Sequence, residues 1–135
     1  MEWWEIPSLK QNNRLSHEEI LFNVEKLITE SIKIRLRSDV PVGILLSGGL
    51  DSSLITAIAS NISSSKINTF TFGQSDSEFD ESPHASIVAK AFDTNHTFLK
   101  TDSFDLNPID DIDQFVDEPI ADSSIIPTYL ISKIA

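Results

Sequence analysis

A chain of 135 residues, 40% hydrophobic and 23% charged, is one domain's worth of polypeptide and excludes a disordered chain, a collagen and a disulfide scaffold. Its formal net charge of −11, from 21 acidic and 10 basic side chains, lacks the basic footprint of a nucleic-acid binder and repels anionic membranes at long range. No apolar run approaches the ~20 residues that span a bilayer, the acidic start Met1-Glu2-Trp3-Trp4-Glu5 is not a signal peptide, and the absence of cysteine excludes thiol catalysis and thiolate-held zinc. Neither nucleic acid nor membrane is expected as a partner; the lack of cysteine says little about compartment, and the expected one is the cytoplasm.

Residues 1–15, with Trp3, Trp4, Pro7 and the polar run Gln11-Asn12-Asn13-Arg14, form an arm or linker leading into a domain over 16–135. Ser16 followed by Glu19 is a capping box. The stripe Ile20, Leu21, Val24, Leu27, Ile28, Ile32 and Leu36 continues as an amphipathic helix. It stops near Ser38, because Val40 precedes a proline. Val42 to Leu46 is short and apolar without alternation, the pattern of a strand buried on both faces. Leu50 to Ala59 predicts a helix broken by Ser63-Ser64-Ser65, and Ile67 to Phe72 a strand ended by Gly73. Asp80 caps a helix to Phe92, with Pro83 in its first turn. Thr97 to Lys100, entered from about Asn95, is a third strand. Asn107-Pro108 signals another helix start, and a last helix begins near Ser124 or Pro127. Strands alternating with helices imply an α/β fold, a parallel sheet with helices on both faces. Such sheets bind ligands at the carboxyl ends of their strands.

The chemistry concentrates in Val42-Gly43-Ile44-Leu45-Leu46-Ser47-Gly48-Gly49-Leu50-Asp51-Ser52-Ser53. A strand runs into two glycines and then a helix. Glycines there permit positive φ and close ligand approach, and the helix start offers free N–H groups and a positive dipole end. Ser47, Ser52 and Ser53 add hydroxyl donors. The Asp51 carboxylate would repel a bare phosphate but hold one through bridging Mg²⁺. The segment therefore reads as a phosphate cradle with a metal-linked acid. The alternative is a tight turn using serine and glycine as ordinary turn residues. Neither the Walker spacing nor the dinucleotide fingerprint occurs.

Ser47 to Ser53 resembles the pyrophosphate-binding loop of the N-type ATP pyrophosphatases. The wider set is similar to the synthetase domain of glutamine-hydrolysing asparagine synthetase. It comprises Leu36 to Gly43, Thr69-Phe70-Thr71-Phe72-Gly73, Phe79-Asp80-Glu81, Asn95-His96, Asp117-Glu118-Pro119 and Pro127 to Lys133. The resemblance implies an adenine-nucleotide alpha hydrolase-like (PP-loop ATP pyrophosphatase) fold. It implies ATP and Mg²⁺, with aspartate and ammonia from glutamine as co-substrates. Ser47, Gly48, Gly49, Asp51, Ser52 and Ser53 would hold pyrophosphate and metal, and Leu45 and Phe72 would flank the adenine. It further implies that this chain is the truncated front part of that domain, without the amidotransferase domain, since position 2 is Glu2 where the family has cysteine. The chain by itself is then expected not to make asparagine. It is also expected to self-associate, because the resemblance implies sheet order 3-2-1-4-5, with the partner of the Val42 to Leu46 strand beyond Ala135. Another ligase on the same fold (a β-lactam synthetase, an NAD synthetase or a tRNA-modifying enzyme) and a non-catalytic binding module are the alternative readings.

Thr101 to Ser132 holds eight acidic residues and no basic one. Asp110, Asp111 and Asp113 read as acids of a helix's first turn. For Asp117, Glu118 and Asp122 a place near the active-site mouth, implied by the resemblance, stands beside a purely surface role. His17, His84 and His96 are isolated and read as ordinary structural residues. Trp3 and Trp4 read as apolar anchors of the arm.

Overall fold

The computed structural model describes residues 15–74, 80–101, 112–118, 121–122 and 124–135. The arm with Trp3 and Trp4 and the Asn107-Pro108 helix start lie outside them. Helix α1, His17–Arg35, opens on the expected capping box: Ser16 N donates to Glu19 Oε2 at 2.7 Å and Glu19 N to Ser16 Oγ at 3.2 Å. Lys33 and Arg35 complement the dipole in the last turn. Of the predicted stripe, Ile32 is buried, and Ile28 and Leu36 pack beside it with Ala59 and Ile67. Ile20, Leu21, Val24 and Leu27 are exposed. The helical period was readable, but no described residue covers the stripe's first half.

Strand β1 is Gly43–Leu45, shorter than the expected Val42 to Leu46. It pairs in parallel with β2, Asn68–Gln74, which pairs in parallel with β3, Asn95–Thr101, in the order β1-β2-β3. The expectation of a strand buried on both faces is corrected: β1 is an edge strand among the described residues, and Leu45 is 51% exposed. Its apolar run stems instead from Leu46, which follows the strand, is 1% exposed and donates its N–H to Phe70 O at 2.8 Å. β2 runs through Gly73 rather than ending there, because Gly73 pairs with Lys100 in the ladder.

Strand alternation sorts the two faces. Ile44 meets Ile32, Ala59 and Ile67 under α1 and α2, Leu50–Ile62, while Leu46 meets Ala85, Val88 and Ala89 of α3, Ser82–Ala91. Burying a leucine so completely is worth about 1.5–3 kcal/mol. Thr69 and Thr71 share that face, and Thr71 Oγ1 satisfies itself on Leu46 O at 2.5 Å. Leu45, Phe70 and Phe72 face the other way, toward α4, Ile125–Ser132. Helices thus cover both faces. The N-cap of α3 is Glu81 rather than the expected Asp80, which sits one residue before it and holds the helix start through its side chain: its Oδ1 accepts Ser82 N and its Oδ2 accepts the Ser82 hydroxyl, each at 3.0 Å. Among the described residues no helix is long and apolar enough to cross a membrane.

His96 enters β3 as a structural residue. Its Nδ1 lies 3.0 Å from Thr69 Oγ1, which lies 2.7 Å from Thr94 Oγ1. Its Nε2 is buried without a partner among the described residues. Burial holds its pKa below the ordinary 6.5. The unfolded chain therefore binds the proton more readily than the folded one. The native state should keep its full stability above pH 6.5 and lose some as pH falls below that value. Urea melts at pH 7.5 and about 5.5 should show that loss in the wild type and a smaller one in His96→Gln. Equal losses in both would remove His96 from the acid response.

Candidate nucleotide site

Burial of Leu46 fixes where the chain leaves the sheet, and Ser47 follows at its carboxyl edge. Gly48 has φ +87°, the left-handed region that glycine tolerates. Its α-carbon is also hard against the start of α3: a Cβ there would meet Ala85 N at 2.5 Å and His84 Cβ at 2.7 Å. Gly49 is the N-cap of α2 and has no side chain to cap it. The first helical bond is Ser53 N to Gly49 O at 3.0 Å, so the N–H groups of Leu50, Asp51 and Ser52 have no acceptor within the helix.

The serines fix the loop's shape. Ser47 Oγ accepts Gly49 N–H at 3.2 Å and lies 3.0 Å from Ser52 Oγ, which donates to Gly49 O at 3.3 Å. If Ser52 donates to that carbonyl, Ser47 donates to Ser52, and the ring of bonds closes. Asp51 stands exposed in the first turn of α2 and pairs with no described cation. Ser53 is half-buried beside it.

Leu45, Ser47 and Phe72, picked from sequence as separate contacts, line one cleft of about 370 Å³. Leu45, Phe70 and Phe72 form its sheet wall, Pro127 and Ile131 of α4 the opposite wall, and Glu81, Ser124 and Thr128 bring the polar groups. A larger cavity of about 620 Å³ between α1, α2 and β1 is walled by Leu27, Ile28, Ile44, Leu45 and Ile55, and among the described residues only Ser31 and Arg35 bring polar side chains to it. It lies away from the loop and offers no converging polar groups, so size alone does not mark the site.

Sequence reasoning missed Glu81, Ser124 and Thr128 as cleft residues. Phe79-Asp80-Glu81 and Pro127 to Lys133 belong to the set that resembles the synthetase domain, but that resemblance gave Glu81 and Thr128 no role of their own. Asp117, Glu118 and Asp122 are exposed, and none lines the cleft. Asp122 is held below the usual carboxylate range, first by the Ser124 backbone N–H at 2.9 Å and then by the Ser124 hydroxyl. Its carboxylate serves to shape the turn before α4. No three His, Asp or Glu residues cluster as metal ligands among the described residues. An exposed carboxylate beside free helix N–H groups still suits Mg²⁺. That ion keeps most of its waters and binds through one or two carboxylates plus substrate phosphates. Asp51 is the residue that would hold it.

A parallel α/β sheet whose first strand delivers such a loop, with an apolar slot beside it, is the framework of a nucleotide-binding domain. The asparagine synthase family model matches residues 23–135, and the chain belongs to that family. It is 38% identical over 98% of its length to a putative glutamine-hydrolysing asparagine synthetase 2 of Methanocaldococcus jannaschii, covering 26% of that protein. It is 34% identical over 86% of its length to glutamine-hydrolysing asparagine synthetase 1 of Bacillus subtilis, covering 18%. It is also 40% identical over 44% of its length to amidase chyE of Penicillium rubens, covering 9%. The chain thus spans about a quarter or less of the length of these relatives.

Proposed function

We propose that the chain is the pyrophosphate-loop part of a cytoplasmic, ATP-dependent amide-forming ligase of asparagine synthetase type. In the intact protein, ATP would adenylate the β-carboxylate of aspartate with release of pyrophosphate. Ammonia, drawn from glutamine, would then displace AMP and leave asparagine. The observation that carries this reading is the meeting of Leu45, Phe72 and Ser47 in one cleft, with Ser47 leading into a loop that presents free helix N–H groups.

Each part has a physical task. Leu45 and Phe72 would flank the adenine from the sheet wall, on the sheet's α4 side. Gly48 and Gly49 would let the phosphates reach the backbone, and the Leu50 to Ser52 N–H groups would take the negative charge. Mg²⁺ held by Asp51 would neutralise charge on the departing pyrophosphate. The rate gain would come from positioning and from charge stabilisation that is in place before reaction. The intact protein should form AMP and pyrophosphate from ATP only when aspartate and ammonia or glutamine are present. AMP formation with another acceptor, and none with aspartate, would favour a different ligase on the same fold. The amidase likeness is the observation that keeps that second reading open. No AMP with any acceptor would leave a non-catalytic nucleotide-binding module.

The 135-residue chain by itself should also self-associate. Among the described residues the outer backbone edge of β1 is unpaired and borders the apolar groove walled by Leu27, Ile44 and Ile55, and edges of that kind template strand addition. Sedimentation at physiological salt should show a dimer or larger species. A clean monomer at high concentration would show that the β1 edge is covered within one chain.

A further inference from the structure

ATP held as proposed has three parts to place, and the loop and slot account for two of them. The base lies against Leu45 and Phe72, and the phosphates lie on the loop after Ser47. The sugar must lie between, and residues 80–85 cross the strand ends there. At one end a Cβ on Gly73 would come within 2.9 Å of Asp80 Oδ1; at the other a Cβ on Gly48 would come within 2.7 Å of His84 Cβ. Glu81 sits between these two contacts and lines the same cleft as Phe72 and Ser47. Its side chain makes no capping bond to α3 and stands exposed, because Asp80 takes the Ser82 donors instead. Among the described residues no Lys, Arg or His lines the cleft to pair with it.

We infer that the Glu81 carboxylate accepts the ribose hydroxyls of the bound nucleotide and so selects ribonucleotides over deoxyribonucleotides. The inference rests on the ATP reading of the cleft. A vicinal diol offers two O–H donors, and a carboxylate offers two oxygens with no donor of its own. Such charge-assisted bonds are about twice as strong as neutral ones. A phosphate at that position would be repelled, and an apolar ring edge would leave the carboxylate desolvated without a partner.

The test titrates the chain with ATP, 2′-deoxyATP and 3′-deoxyATP, each with Mg²⁺, following backbone amide NMR shifts. The wild type should bind ATP about tenfold or more tightly than at least one deoxy form. Glu81→Ala should weaken ATP most and each deoxy form, which keeps one hydroxyl, less, so that the discrimination between them is lost. Glu81→Gln, which keeps an acceptor oxygen, should recover part of the discrimination. A thermal melt close to wild type should accompany both variants, since the carboxylate is exposed and caps nothing. Equal weakening of all three nucleotides, or none, in Glu81→Ala would overturn the assignment and leave Glu81 as a charge at the start of α3. If the wild type binds none of them, the nucleotide reading itself falls and takes this inference with it.

Discussion

Gly48→Ala should destabilise the chain by about 2–5 kcal/mol, the sum of left-handed backbone strain of about 1–2 kcal/mol and overpacking of about 1–3 kcal/mol. The strain follows from φ +87°. The overpacking follows from Ala85 N and His84 Cβ, 2.5 and 2.7 Å from the added methyl, neither of them the yielding end of a flexible side chain. Domains of this size have only about 5–15 kcal/mol in total, so the urea midpoint should fall steeply. Gly49→Ala is the internal control. That residue has φ −67°, and a Cβ there would approach only Ser47 Oγ, at 3.3 Å. Its cost should be about 1 kcal/mol or less, the scale of an N-cap change. Two adjacent glycines of one loop should therefore differ severalfold. Equal midpoints for the two variants would mean that the loop does not seat against α3 as described.

Asp51→Ala should remove the Mg²⁺-dependent part of ATP or pyrophosphate binding, a loss of about 1.5–3 kcal/mol, or roughly ten- to a hundredfold in affinity. Stability should barely move. The side chain is exposed and contributes at most a helix-dipole term of about 0.3–1 kcal/mol. Without Mg²⁺ the sign should reverse: removing a carboxylate beside the phosphates should leave binding unchanged or slightly tighter. Calorimetry with and without Mg²⁺ separates the two conditions. Tight Mg²⁺-dependent binding that survives the substitution would place the metal on other groups.

The sheet was legible because alternation of helix and strand is a local signal, and the loop was legible because Ser-Gly-Gly-Leu-Asp-Ser-Ser concentrates unusual backbone and donor demands in seven residues. What stayed hidden depended on neighbours in space. The apolar run of β1 suggested burial on both faces, yet one residue, Leu46, accounts for the deep burial while Leu45 faces the cleft. The α1 stripe showed its period but not which turns find cover. Gly48 announced a turn, while its contact with α3, some 36 positions on in the sequence, left no trace in local pattern. Glu81 stood in the sequence only as part of a resembling motif, since only the folded chain puts it beside Phe72 and Ser47. Asp122 looked like a candidate at the site mouth, and its hydrogen bonds to Ser124 give it a structural task.

Amide chemical-shift mapping of the chain with Mg²⁺–ATP tests the nucleotide site most directly. The largest changes should fall on Gly48 to Ser53, the loop and first turn that carry the free N–H groups of Leu50, Asp51 and Ser52, with a second set at Leu45 and Phe72. Pyrophosphate should reproduce the first set without the second. Shifts confined to the groove between α1, α2 and β1, or none at millimolar nucleotide, would contradict the assignment of the loop and cleft to ATP.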